Sequence, residues 1–334
     1  MLRFVVRRLF QLVPILFGLS LLLFFWVRAL PGGTAVALLG ERATPETIAQ
    51  IERLYGLDRP IWQQYLSFLG RAVRLDFGNS VRTNRPVVEE MLRTFPATIE
   101  LALAALTFAI VVGIPLGYFA ARRYGGWLDS VTVSASLLGV AVPVFFLAYI
   151  LKYVFAVQLG WLPTAGRQDP RVDAEHPTGF YVLDGIVTGN PAATWDAVEH
   201  LILPAIALGS IPLAIIVRIT RASVLDVVNE DYVRTAEAKG LLARTITRRH
   251  VLRNALLPVV TVIGLQAGLL FSGAILTEKV FGFPGVGNFI YEAISFRDYA
   301  VLQGFILVIA AVYVLVNLAV DVSYGLIDPR VRVR

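Results

Sequence analysis

An all-α membrane protein with six spans is the fold class predicted by three features: an oily composition, six long apolar stretches, and a one-sided distribution of arginine. Hydrophobic residues make up 57% and charged residues 16% of the 334, and mean hydropathy is +0.69. A soluble domain carries roughly 25% charged residues. So little polar surface cannot cover a water-facing globule, and a bilayer must serve as solvent. The chain has no cysteine, which removes disulfides, thiolate metal sites and cysteine nucleophiles. The net charge of +6 would suggest a nucleic-acid partner if the basic residues clustered on a soluble face. They flank apolar stretches instead, as membrane topology demands, so no nucleic-acid role is expected.

A span needs about 20 largely apolar residues at about 1.5 Å rise each. The stretches that qualify are Leu9–Leu30, Thr98–Ala121, Leu128–Val157, Leu201–Thr220, Leu256–Thr277 and Val301–Tyr324. The third is the longest and has room for a tilt or an interfacial turn, with Lys152 placed to snorkel near its end. Pro115, Pro143, Pro204 and Pro212 lie in or at the ends of spans, and kinks are expected where bundled neighbours can satisfy the freed carbonyls. The first span, with arginines before it and "AVA" (Ala35–Ala37) after it, has features of a signal peptide. Its apolar run exceeds the usual 7–15 residues or so, and it is read as a retained span.

Orientation follows from arginine and lysine in short connections. Arg3, Arg7 and Arg8, then Arg122 and Arg123, then Arg330, Arg332 and Arg334 share one side with the basic stretch from Arg221 to Arg253. The connection Gln158–Glu199 carries only Arg167 and Arg171 against Asp169, Asp173, Glu175, Asp184 and Asp196. Both termini are therefore expected in the cytoplasm of a multi-pass protein of the inner membrane. The chain divides into residues 1–30 (N-terminal segment and first span), an outer helical insertion at 31–97, and a five-span core at 98–334. Within the insertion, Thr44 is a cap for a helix begun by Pro45 and ended at Gly56. Ile61–Val73 has apolar residues at helical spacing, "DFGNS" is a turn, and Val87–Phe95 is a short helix before the second span.

The most hydrophilic helical stretch is "DYVRTAEAKGLLARTITRRHVLRNALLP", Asp231–Pro258, inside a loop at 221–256. Helix is expected over Val224–Lys239, a left-handed break at Gly240, and a second helix over Leu241–Leu257 that ends as Pro258 leads into span five. Arg244 with Arg248, and Arg249 with Arg253, fall at i,i+4 and make a basic stripe. A solvated hairpin or a stripe on anionic lipid would look similar. A stiff helix–glycine–helix can also transmit force from a partner to the spans at its ends.

On these residues the chain resembles the B-type permease subunit of dipeptide and oligopeptide ABC importers, which implies the type I ABC importer permease fold. The wider family has Glu-Ala-Ala, three residues, Gly; here the positions read Arg234-Thr235-Ala236, Glu237-Ala238-Lys239, Gly240. "RRLFQLVPILFGLSLLLF", "YGLDRPIWQQY", "ATIELAL", "GWLPTAGR", "HLILPAIALG", "LTEKVFGFPGVG" and the final "DPRVR" also fit in order and spacing, and "PTGF…LDG" favours the dipeptide branch. The resemblance implies a homologous second permease, two cytoplasmic ATPase subunits, an extracytoplasmic substrate-binding protein and a peptide substrate. It further implies that Arg234, Thr235, Ala236, Glu237, Ala238, Lys239, Gly240 and Leu241 dock on the ATPase. Ala236, Ala238 and Leu241 would pack there, while Arg234 and Lys239 orient. Nickel and glutathione importers are related alternatives. A secondary transporter or channel would be expected to show inverted repeats or buried ionisable relays.

No phosphate-cradling Gly-x4-Gly-Lys-Ser/Thr loop is present, because the three lysines follow Leu151, Ala238 and Glu278. ATP and magnesium are thus expected on partner subunits, with no cofactor in this chain and no catalytic residue. His176, His200 and His250 are scattered without metal-ligand spacing. In "TEKVFGFPGVG", three glycines and Pro284 specify a tight turn with Phe281, Phe283 and Val286 filling apolar space. Glu278, Phe281, Phe283, Pro284, Gly285 and Gly287 are read as an outer gate or binding-protein contact. Among polar residues in spans, Gln266 and Asn317 are candidates to line the path. Glu100 is expected in the first turn of a helix begun by Pro96, and Asp321 beside an inner arginine.

Overall fold

The computed structural model describes residues 2–29, 44–55 and 58–327. Gly56 as a helix terminator, "AVA" and the final "DPRVR" lie outside them, as does the side chain of Asp321. The described residues are helical apart from turns and one isolated bridge between Asn79 and Pro86. In chain order the helices are α1 (Leu2–Arg28), α2 (Pro45–Tyr55), α3 (Ile61–Val73), α4 (Val87–Arg122), α5 (Trp127–Ala141), α6 (Val144–Leu151), α7 (Tyr181–Val187), α8 (Pro191–Val228), α9 (Asp231–Ala238), α10 (Ala243–Thr245), α11 (Arg253–Phe281), α12 (Val286–Ser295) and α13 (Tyr299–Ile327). Two π-helical segments, Lys152–Gln158 and Ile246–Leu252, follow α6 and α10 directly.

Among the described residues five helices contain a window long and apolar enough to cross a membrane: α1, α4, α8, the stretch Ala243–Leu270, and α13. The third expected span is not a straight rod. It breaks between α5 and α6, whose axes differ by 107°. Pro143 is the cause: it has no N–H to continue α5, and its ring pushes the preceding residue out of the helical region. Val142 accordingly sits at φ −82°, ψ 125°, and Pro143 opens α6.

Other prolines do not interrupt. The short helix expected over Val87–Phe95 is the start of α4, which runs on through Pro96 for 36 residues. Proline frees the carbonyl four residues back, here that of Leu92, on a turn where Leu92 itself is exposed. Pro204 and Pro212 lie within the 38 residues of α8. Pro258 lies within α11, so the helix expected to stop there continues, and α10, the π segment and α11 join without a gap. A spanning helix needs about 20 residues, so α4 and α8 each project well beyond one.

The chain forms two compact units. The first comprises residues up to Pro96 together with Gly285–Leu318. There α3 packs on α1 through Phe24, Phe68 and Tyr65. Ser20 and Tyr65 share a hydrogen bond of 2.9 Å, and Arg28 donates to Gln64 Oε1 at 2.8 and 3.0 Å. A second core joins Val87 and Met91 to Phe289, Val301 and Phe305. The "DFGNS" turn is pinned by Ser80, whose hydroxyl donates to buried Asp298 at 2.6 Å. The cap at Thr44 is present, its hydroxyl accepting from Thr47 N–H at 3.3 Å.

The second unit comprises Ala97–Pro284 and the stretch that begins at Ala319. Its organising element is α8, against which α5, α6, α7 and α11 all pack. Of the most apolar window of α8, 72% is buried, against 33% or less in the other candidate spans. The others leave apolar faces for lipid or partner helices. Where α4 meets α8 the backbones are in contact. A Cβ on Gly117 would lie 2.6 Å from the Val217 carbonyl oxygen, and one on Gly209 would lie 2.7 Å from that of Ala105.

Candidate functional site

The basic hairpin is built from its apolar residues outward. α8 ends at Val228 and α9 starts after Glu230, so the single helix expected over Val224–Lys239 is two. Val233 and Ala236, one turn apart on α9, point into a core with Val224, Ile246, Val251, Ala255 and Ala121. Gly240 has φ +72°. Its N–H donates to the Glu237 carbonyl at 2.9 Å and Leu241 N–H to that of Ala236 at 3.3 Å, the paired bonds of a left-handed helix terminus. Tyr232 Oη accepts from Asn254 Nδ2 at 2.9 Å, tying α9 to α11. The hairpin is thus a packed element with its own core. Gly240→Ala is expected to loosen it by about 1–2 kcal/mol, the cost of a left-handed residue with a side chain, seen as faster amide exchange over Lys239–Leu241.

Of the docking residues read from the sequence, Arg234, Thr235, Glu237, Ala238, Lys239, Gly240 and Leu241 are exposed along one edge. Ala236 is not. At 5% exposure it belongs to the hairpin's own core, because it shares a helical face with Val233 while Ala238 does not. Leu242, 77% exposed, was missed and supplies the apolar surface that Ala236 was expected to give. Arg248 and Arg249 lie in the π segment, where each turn closes on the fifth residue instead of the fourth. Arg244, Arg248, Arg249 and Arg253 all remain exposed.

The turn after α11 is closed by Gly282 at φ +56°. Phe283 N–H donates to the Glu278 carbonyl at 2.8 Å. Neighbouring segments clasp it: Gly166 N–H donates to the Phe281 carbonyl at 3.0 Å, and Lys152 Nζ to that of Val280 at 2.7 Å. Lys152 therefore caps a helix end instead of snorkelling. Phe283 packs with Leu101, Leu270 and Ala274, and Phe281 with Ala148, Leu203 and Ala207. Glu278 is completely buried and accepts from Thr98 Oγ1 at 2.7 Å. Glu278, Phe281 and Phe283, read from the sequence as an outer gate or binding-protein contact, thus lie in the interior of this chain. Gly285 and Gly287 are buried too, and of the six residues read there only Pro284 is exposed.

A buried polar cluster, unseen in the sequence as a unit, lies between α4 and the connection before α8. Arg167 Nη2 donates to Glu100 Oε2 at 2.6 Å and to the Gly179 carbonyl at 2.9 Å. Val182 N–H donates to Glu100 Oε1 at 2.8 Å. The guanidinium lies 3.8 Å from the centre of Tyr181, on which His176 also stacks at 3.6 Å. Glu100 is therefore a mid-helix carboxylate with an ionic partner, since α4 begins before Pro96 and leaves no helix start near it. An apolar hollow of about 440 Å³ opens beside Glu100, lined by Leu103, Thr107, Leu201 and Ile206 among others. Gln266 is buried on α11 and Asn317 half-buried on α13, and they belong to different units. Among the described residues no group of acidic or histidine side chains is arranged to hold a metal.

Comparison with known proteins matches this architecture. The family described as "Binding-protein-dependent transport system inner membrane component" matches residues 113–333. Its N-terminal membrane component matches residues 1–102. The chain is 46% identical over 332 residues to the dipeptide transport system permease protein DppB of Alkalihalophilus pseudofirmus, covering 99% of this chain and 100% of that one. It is 45% identical over 336 residues to DppB of Escherichia coli K12, covering 99% of each. It is 37% identical over 332 residues to the glutathione transport system permease protein GsiC of Escherichia coli, again covering 99% of each. A family match over most of the length, relatives aligned end to end, and a bundle of apolar helices agree: the chain belongs to the binding-protein-dependent transport system inner membrane components, the multi-pass permease subunits of ABC importers.

Proposed function

We propose that this permease moves di- and oligopeptides across the inner membrane, with both termini and the α9 hairpin in the cytoplasm. The observation that carries the substrate class is end-to-end identity of 45–46% with permeases named for dipeptide transport. The chain works with a second, homologous permease, two ATPase subunits that bind ATP and magnesium, and an extracytoplasmic peptide-binding protein. The exposed edge of the hairpin, with Ala238, Leu241 and Leu242 flanked by Arg234 and Lys239, is the face that seats on the ATPase. Its packed inner side supports that role, because a surface that passes on force must not deform first. Gln266 is a candidate to line the path from α11.

Uptake of labelled dipeptide by cells with and without the gene tests the substrate class. ATP-dependent uptake competed by dipeptides is expected, and uptake competed only by glutathione would overturn the peptide assignment. For the docking face, Ala238→Asp and Leu242→Asp place a charge in a contact expected to be apolar, which at an interface centre costs about 2 kcal/mol or more. Peptide-stimulated ATP hydrolysis by the reconstituted complex is expected to fall at least about tenfold, with permease abundance unchanged because neither residue is buried in the chain. Unchanged hydrolysis in both variants would place the ATPase elsewhere.

A further inference from the structure

One charge pair, its carboxylate buried and its guanidinium partly so, has no part in the docking face or in the cluster around Glu100. Asp129 lies in the first turn of α5 and is 5% exposed. Arg221 approaches it from α8 as a two-pronged fork: Nη2 donates to Oδ2 at 2.8 Å and Nε donates to Oδ1. The backbone N–H of Gly125 also donates to Oδ2 at 3.0 Å, and the guanidinium lies 5.3 Å from the centre of the Tyr124 ring. Both oxygens of the carboxylate are thus engaged, and the fork ties the start of α5 to α8.

The position of that point matters. Arg221 lies on the last stretch of α8, and Val224, one turn on, is already in the core that holds Val233 and Ala236 of α9. No break in the helix separates Arg221 from Val224. Displacement of α9 therefore reaches Arg221 through packed side chains and one continuous helix. On its other side the pair grips α5 at its first turn, and α5 ends at the bend before Pro143. α5 also packs along α8, so the fork sets the angle at which its first turn sits on α8 while its far end is jointed. A guanidinium fork fixes angle as well as distance, which a single ammonium does not.

We infer that Asp129 and Arg221 are a positioning pair that converts movement of the α9 hairpin into movement of the bent α5–α6 pair, so that without it ATP is hydrolysed but peptide is not carried. This rests on the docking role proposed above for α9. Neither residue is assigned to contact peptide or nucleotide.

The test uses the full reconstituted complex and three measurements: the amount assembled, the basal rate of ATP hydrolysis, and peptide transported per ATP. Arg221→Lys keeps the charge and loses the fork. It is expected to assemble normally, keep basal hydrolysis within about twofold, and transport about tenfold less peptide per ATP. Because the chain has no cysteine, the double variant Asp129→Cys/Arg221→Cys can be joined by a short, reducible bis-thiosulfonate linker. Transport per ATP is expected to be low before linking, to recover on linking, and to fall again with reductant. Unaltered transport per ATP in Arg221→Lys and in the unlinked double variant overturns the inference, as does failure of both to assemble, which would make the pair a folding staple. If the wild-type complex shows no ATP-dependent uptake, the transport reading fails first and takes the inference with it. Wild-type uptake with unchanged coupling in the variants sinks the inference alone.

Discussion

Glu100→Ala is expected to lower the unfolding free energy of the purified permease by about 3–5 kcal/mol, the range for removing one partner of a buried ion pair. The side chains of Arg167 and Glu100 are 4% and 10% exposed, so water cannot replace what is lost. Arg167 would keep the Gly179 carbonyl and the Tyr181 ring, but among the described residues its Nε already has no hydrogen-bond partner. Val182 N–H, which donates to Glu100 Oε1, would lose that acceptor at the start of α7. The cost is therefore that of a stranded guanidinium and a stranded amide, more than the net worth of the pair. It follows that Glu100→Leu combined with Arg167→Met should be less damaging than either alone, since the pair and its desolvation disappear together. Thermal unfolding in detergent reads both effects. A melting temperature for Glu100→Ala indistinguishable from wild type would show that the cluster is solvated and the argument wrong.

Gly117→Val is expected to prevent α4 and α8 from packing and to abolish recovery of folded permease. The obstacle is backbone: even the first carbon of a side chain would stand 2.6 Å from the Val217 carbonyl oxygen and 2.7 Å from Thr220 Cβ. Overpacking ordinarily costs about 1–3 kcal/mol, and more when neighbours cannot rotate away. A carbonyl inside a helix cannot. Gly209→Val meets the Ala105 carbonyl from the opposite helix and should behave alike. Gly70→Ala is the control, because no heavy atom of the described residues lies within 4 Å of its added carbon. In the body of α3 it should be neutral or stabilising by up to about 1 kcal/mol, the difference in helix propensity. Normal yield of Gly117→Val on size-exclusion chromatography would show that the two helices stand further apart than described.

The features legible in the sequence are those set by local chemistry. Apolar length gave the spans. Periodicity gave α3 its limits at Ile61 and Val73, and glycine's tolerance of positive φ marked Gly240. Proline was harder to read, because its effect depends on what surrounds the carbonyl it frees. Pro143 breaks a helix, whereas Pro96 and Pro258 sit inside helices that continue. Pairing at a distance left no local trace. Nothing near Glu100 announces Arg167, and nothing near Asp129 announces Arg221 on another helix. Ala236 and Ala238 also look equivalent until the face carrying Val233 is known to be buried, and only then does Leu242 stand out as the exposed apolar residue. In the turn after α11 the residue types suggested a surface, yet Glu278, Phe281 and Phe283 are interior. A carboxylate can lie there because Thr98, a residue of α4, donates a hydrogen bond to it.

From Ala243 to Phe281 the helical segments follow one another without a gap, passing through a π turn and Pro258 on the way. At about 1.5 Å per residue this is a strut on the order of 55 Å long, rooted in the basic hairpin and ending where Gly282 reverses the chain. On the docking role proposed for the hairpin, a push at the foot passes into this same stretch of backbone, and the π turn and Pro258 are the places where it can bend. The buried rings of Phe281 and Phe283 stand at that other end, so the hairpin and the closing turn hang from a single unbroken backbone.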